Sequence, residues 1–202
     1  VLSDTIASQG SEIAAIVLEP MACNSGVIPP EPGYLQAMRK LCDDNGIVLI
    51  FDEVITGFRL ALGGAQERFG VTPDVAVFAK AVAAGFPMAV VAGKRDIMEG
   101  VLSGVVHGGT YNGITSSVAA CRASVEMLAA NDGAIYGKVE KDGQTLMDGL
   151  KEIASRRAIP LHTQGLGQIF STVFTENPPL LSYRDYKATD EPMRLKFIQG
   201  MQ

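Results

Sequence analysis

The sequence predicts an α/β fold built on a mostly parallel sheet, and three observations carry that prediction. Two apolar runs, Ile47-Val48-Leu49-Ile50-Phe51-Asp52-Glu53-Val54 and Val75-Ala76-Val77-Phe78-Ala79-Lys80, end on ionisable residues. This is the pattern of a buried parallel strand that presents a side chain at its C-terminal edge. A third run, Ser11 to Pro20, precedes a helical stretch and then the first of these strands. Strand, helix, strand in that order is parallel with a right-handed crossover by default.

Each element follows from its own residues. Pro20 stops the first strand, and Met21 to Gly33 is a loop with a Pro29-Pro30-Glu31-Pro32-Gly33 cluster. A helix is expected from about Tyr34 to Asn45, because Leu35, Met38, Leu41 and Cys42 fall on one face and Gly46 supplies a stop. After Asp52-Glu53, four glycines between Thr56 and Val71 leave room only for a short helix near Ala65 to Phe69. Ala81 to Pro87 is a small-residue turn, and Met88 to Gly93 returns so soon that it must pair antiparallel with the strand before it. Thr115-Ser116-Ser117 can cap a helix running to about Ala130. A second helix is expected from Tyr136 to Arg156, with breaks near Gly143 and Gly149. Ile159 to Phe174 turns β-like, and a helical pattern follows Pro192. The change of texture near Arg156 sets a domain boundary: 1–155 as part of a large domain, 156–202 as part of a smaller α+β domain.

Composition narrows the function. With 202 residues and 47% hydrophobic content, the chain can bury a substantial core. A net charge of -5 without a basic cluster argues against nucleic acid or an anionic membrane surface as the main partner. Cys23, Cys42 and Cys121 form no metal or CxxC pattern, and such sparse usage fits a reducing, cytoplasmic setting. Val75 to Gly93 is about as long as a membrane span, but Lys80, Gly85 and Pro87 make it two strands around a turn. The start, Val1-Leu2-Ser3-Asp4, has neither an initiating Met nor the build of a signal peptide, so a piece of a longer chain is expected.

The strand ends carry the chemistry. Ligands of open α/β sheets lie beyond the C-terminal edges, so Asp52 and Lys80 can face one ligand from strands roughly 5 Å apart if the strands are neighbours. A lysine among Phe78, Ala79, Ala81 and Val82 would lose solvation as an ammonium and become a usable amine nucleophile. Such a lysine forms Schiff bases with carbonyl compounds, among them pyridoxal phosphate, whose pyridine nitrogen is commonly partnered by an aspartate. A snorkelling Lys80, or a structural Lys80–Asp52 ion pair, reads the same spacing. A carbonyl-binding lyase or aldolase that uses Lys80 without cofactor is a further class. His107-Gly108-Gly109-Thr110-Tyr111-Asn112-Gly113 offers backbone NH groups and the Thr110 hydroxyl to a phosphate, or is only a turn before a helix. Glu53 and Arg59 are expected to form a local ion pair, and Glu19 to order the loop carrying Asn24. His107 and His162 have no metal partner at ligand spacing. Gly165-Leu166-Gly167 precedes a β-like run, which argues against NAD binding.

Glu19-Pro20 with its glycine loop, Pro32-Gly33-Tyr34-Leu35, Phe51-Asp52-Glu53-Val54-Ile55-Thr56-Gly57-Phe58-Arg59, Lys80 before its small-residue turn, and Gly109-Thr110 together resemble the class III pyridoxal-phosphate-dependent aminotransferases. Ala61-Leu62-Gly63-Gly64-Ala65-Gln66 is most similar to the glutamate-1-semialdehyde-type aminomutase branch. Asn24 and Ile55, which replace an acid and a glutamine of the ornithine-type branch, agree with that. The resemblance implies the fold-type I architecture of pyridoxal-phosphate transferases: a large cofactor-binding domain, here without its N-terminal part, and a small C-terminal domain without its end.

It also implies roles. Lys80 would hold the cofactor as a Schiff base and shuttle protons, Asp52 would pair with the pyridine nitrogen, and Val54 would pack on the ring. Gly109 and Thr110 would bind the cofactor phosphate of a neighbouring subunit, implying a homodimer with its sites at the interface. Asn24 would bond the cofactor's phenolic oxygen. The substrates implied are an amino acid or amine with a keto acid or semialdehyde. A truncated, inactive homologue serving as a dimeric scaffold is the alternative.

Overall fold

The computed structural model describes residues 2–110 and 112–201. The chain forms two compact units, 1–20 with 31–133, and 21–30 with 134–202.

The first unit is built on a four-stranded sheet in the order β1-β2-β3-β4, with β1 Ala15–Leu18, β2 Val48–Glu53, β3 Val75–Phe78 and β4 Val90–Gly93. β1, β2 and β3 run parallel, and β4 returns antiparallel to β3, as the short turn after Lys80 requires. Helices α1 (Leu2–Gln9) and α2 (Tyr34–Asn45) cover one face. Their Ile6, Leu35, Met38 and Cys42 pack with Leu49 and Phe51 of β2 and Ala76 of β3 in one buried cluster. Gly46 ends α2 in the left-handed conformation at φ 65°, donating its amide back to Asp43 and leaving Ile47 to start the next strand. The N-terminal helix α1 lacks a capping pattern and was not legible in the sequence.

Asp74 locks this unit together. Its side chain is 8% exposed, and its carboxylate accepts from the Leu49 amide at 2.7 Å, Arg39 Nη1 at 2.9 Å and Lys94 Nζ at 2.6 Å. One side chain thereby ties β2, α2 and the end of β4. Burial alone would push its carboxyl up; the bonds from Lys94, Leu49 and Arg39 outweigh that and hold it below its ordinary value.

Between β2 and β3 lies α3 (Gly64–Phe69), and beyond β4 come α4 (Arg95–Met98) and the long α5 (Thr115–Arg156). α5 is interrupted at Ala130–Gly133, where Asn131, Asp132 and Gly133 are left-handed, and the two compact units divide at this point. The interruption falls between the two helices the sequence predicts. The breaks expected near Gly143 and Gly149 are absent, because the second arm runs on through both. The second arm of α5 clusters with the C-terminal residues.

The second unit holds that arm, the antiparallel hairpin β5 (Leu161–Leu166) and β6 (Ile169–Phe174), and helices α6 (Tyr183–Lys187) and α7 (Glu191–Met201). Gly143 and Gly167 face each other so closely that a Cβ on either would overlap backbone: the Gly167 carbonyl in one case, that of Glu140 in the other. The buried Gln164 draws the early 21–30 segment into this unit. Its Nε2 donates to the carbonyls of Val27 and Leu180, at 3.3 and 2.9 Å, and its Oε1 accepts from the Leu180 amide at 2.9 Å. Gly165-Leu166-Gly167 lies at the hairpin turn rather than before a helix.

Candidate active site

β2 and β3 are hydrogen-bonded neighbours, and Asp52 stands opposite Val77 in their register. Side chains alternate along β2: Leu49, Phe51 and Glu53 are buried, while Val48, Ile50 and Asp52 are half-buried on the other face. Asp52 Oδ1 accepts from the Val54 amide at 3.0 Å, which fixes the carboxylate at the strand end and seats Val54 beside it.

Lys80 follows β3 by two residues and opens a 3-10 turn, Lys80–Ala83, with φ 51°. A left-handed backbone at a non-glycine residue is costly, and such residues cluster at functional sites. Ser124 of α5 donates to the Ala81 carbonyl at 3.2 Å and so steadies this turn. The residue pattern predicts a desolvated lysine beside a buried acid. In the structure Lys80 is exposed and Asp52 half-buried: the left-handed turn carries Lys80 out of the sheet, and Asp52 sits on the face that α1 and α2 leave uncovered.

Glu53 differs more sharply from expectation. It is 0% exposed, whereas Arg59 is exposed. Its carboxylate accepts from Thr56 Oγ1 at 3.0 Å, the Ala65 amide at 2.6 Å, and the amide and Nε2 of Gln66 at 3.3 and 2.9 Å. It therefore satisfies the first turn of α3 rather than pairing with Arg59. An acid directly after Asp52, followed by Thr56 and a glycine-flanked helix start, is the signal that could have revealed it.

Gly109 and Thr110 are exposed, in the loop before α5, where the Gly109 carbonyl accepts from the Asn112 amide at 3.0 Å. The part of that loop expectation that falls on Tyr111 lies outside the described residues. The loop flanks a cavity of about 660 Å³ lined by Met88, Val91, His107, Asn112, Gly113 and Ser117 among others. Asn24 is exposed on a 3-10 turn, Cys23–Ser25, of the second unit. His162 is half-buried on β5; burial first, then Lys151, pushes its imidazole below its ordinary value against a hydrogen bond with Gln164.

A carboxylate acceptor and a primary amine at the ends of adjoining parallel strands suit a pyridine nitrogen and an aldehyde carbon on one ring. The parallel sheet with its antiparallel fourth strand is an α/β fold of the kind seen in solved transaminases. The aminotransferase class-III family model matches residues 1–186, and the chain belongs to that family.

Its relatives agree. The glutamate-1-semialdehyde 2,1-aminomutase of Methanococcoides burtonii is 41% identical over 99% of this chain and 47% of its own length. That of Methanothermobacter thermautotrophicus is 40% identical over the same shares. An omega-transaminase from Sphaerobacter thermophilus superposes with TM-score 0.83 at 32% identity, over 92% of this chain and 42% of its own. A beta-phenylalanine aminotransferase from Variovorax paradoxus gives TM-score 0.85 at 26% identity, over 96% and 45%. The chain spans about half the length of the curated relatives it matches.

Proposed function

We propose that the chain supplies the lysine and aspartate of a pyridoxal-phosphate-dependent enzyme that moves an amino group. The transfer is either within a glutamate-1-semialdehyde-like substrate or between an amine and a keto acid or semialdehyde. The observation that carries this reading is Asp52 and Lys80 at the ends of neighbouring parallel strands. Bound there, the cofactor supplies an electron sink for the carbanion left at the substrate carbon.

The chain's own residues do the rest. Asp52 would accept the pyridine N–H and keep that nitrogen protonated, with its carboxylate already oriented by Val54. The Lys80 amine would hold the aldehyde carbon, its oxygen leaving as water, and once displaced from that carbon by the substrate's amine would take and return protons at the substrate carbon. Val54 would cover the ring, and Gly109 and Thr110 would hold the phosphate of a neighbouring subunit. Exposed Leu102, Val105 and Val106, at 87, 61 and 93%, lie just before that loop and support a homodimer with its site at the interface. We assign residues 1–155 to the cofactor-binding domain and 156–202 to the small domain. The compartment we assign is the cytoplasm, which three free cysteines favour; among the described residues no helix is long and apolar enough to cross a membrane.

Titration with pyridoxal 5'-phosphate tests the reading. The expected result is saturable uptake with a visible absorbance band and, after borohydride reduction, label on the Lys80 peptide. Lys80→Ala should abolish both. Uptake and label unchanged in that variant would refute the mechanism, and no uptake by the wild type would favour a scaffold role.

A further inference from the structure

We propose that Glu53 is a positioning residue: its buried carboxylate fixes the end of β2, and with it Asp52, against the strand that delivers Lys80. The proposal rests on the reading of Asp52 and Lys80 as a cofactor pair, and four observations carry it.

First, Glu53 is fully buried without a cationic partner among its bonds; all four donors come from Thr56, Ala65 and Gln66. A buried carboxylate held by neutral donors orders the groups that donate to it. Second, those donors close the loop that leaves β2 back onto its own last residue, so the segment around Asp52 and Val54 is held at both ends. Third, Glu53 is the register partner of Phe78 on β3. Gly57 of the same loop lies under the Phe78 ring so tightly that a Cβ there would overlap it, and Phe58 packs edge-on to Phe78 with centroids 5.7 Å apart. The clamped loop thus grips β3 two residues before Lys80. Fourth, Gly64 is left-handed at φ 70°, and a Cβ there would overlap Glu53 Oε2. The start of α3 is shaped around this carboxylate.

The clamp acts through Asp52 and does not itself touch the reacting atoms. A site needs its first contacts held to within about half an ångström by a supporting layer, and Glu53 provides that layer on the side away from the ring. Adjacent strand residues face opposite ways, so Asp52 can serve a ligand while its neighbour anchors the same peptide in the core.

The test uses Glu53→Gln and Thr56→Val in the full chain, with two readouts. One is the dissociation constant for pyridoxal 5'-phosphate. The other is the carbon chemical shift of the Asp52 side-chain carboxyl, measured at one pH by carbon-detected NMR without cofactor. Gln at 53 keeps the shape but turns an NH₂ toward donors; Val at 56 removes one donor and spares the carboxylate. The expected result is a displaced Asp52 carboxyl resonance in Glu53→Gln. Thr56→Val should shift it in the same direction by less. The cofactor dissociation constant should rise by about tenfold or more, as displaced orienting contacts cost.

Variants that lose thermal stability yet keep the wild-type Asp52 resonance and cofactor affinity would overturn the proposal. If Glu53→Gln does not fold, Thr56→Val decides by the same measure. A wild type that binds no cofactor refutes the functional reading, while the Asp52 resonance still decides for or against the clamp.

Discussion

Gly143→Ala is expected to destabilise the second compact unit by at least about 3 kcal/mol, the upper range for overpacking a fixed site. A new Cβ there has no side chain to push aside. It meets the Gly167 carbonyl of the hairpin turn, and Gly167→Ala meets the Glu140 carbonyl in return. Backbone of a helix and a tight turn yields far less readily than a flexible side chain. With total stabilities of about 5–15 kcal/mol, either change should take a large part of what holds this unit folded. Gly149 is the control: it lies in the same helical arm with nothing near its missing Cβ. Gly149→Ala should stabilise by about 0.5–1 kcal/mol through helix propensity alone. Urea unfolding followed by far-UV circular dichroism checks the pair. Equal midpoints for Gly143→Ala and Gly149→Ala would refute the close-approach account.

Asp74→Ala is expected to cost about 3 kcal/mol, the lower end of the range for breaking a buried ion pair by removing one partner. The lower end applies because Lys94 is half exposed and Arg39 retains Asp43 at 2.7 Å. The Leu49 amide is left buried without its acceptor, which adds to the loss. Removing Asp44, whose pair with Lys40 is exposed on both sides, should leave the midpoint unchanged.

The same carboxylate sets an acid limit. Its folded value lies below the ordinary 3.8, so its stabilisation is fully present above that value and is lost as pH falls through the lower folded one. Thermal midpoints measured downward from pH 5 should therefore decline more steeply in the wild type than in Asp74→Ala. Parallel profiles would show that Asp74 is not coupled to folding in this way.

How legible the molecule was depends on the range over which each feature is determined. α2 and its glycine stop, the three parallel strands and the β3–β4 hairpin are fixed by local periodicity and by the residues that end each run. They could be read directly. Segment 21–30 could not, because it is held in the second unit by Gln164, 137 positions from Val27, and Gln164 in an isolated strand pattern is only a polar residue. Gly143 was misread for a related reason: local propensity counts a helical glycine as a weak point, whereas here the missing side chain admits another backbone.

At the candidate site, Asp52 and Lys80 were visible because apolar runs ended on them. The Asp74 lock was not, since an acid after Pro73 looks like an ordinary turn residue. Lys80 was expected to be desolvated because its sequence neighbours are apolar. It is exposed, and it takes a left-handed backbone angle that composition does not encode.

That angle sets two demands on position 80 against each other. Glycine or asparagine would sit there more comfortably than lysine, by on the order of 1 kcal/mol, so an optimiser that rewards only thermal tolerance would choose the one exchange that removes the amine. On the role proposed for Lys80, robustness and reactivity pull apart at this single residue, and any attempt to harden the protein has to leave it alone.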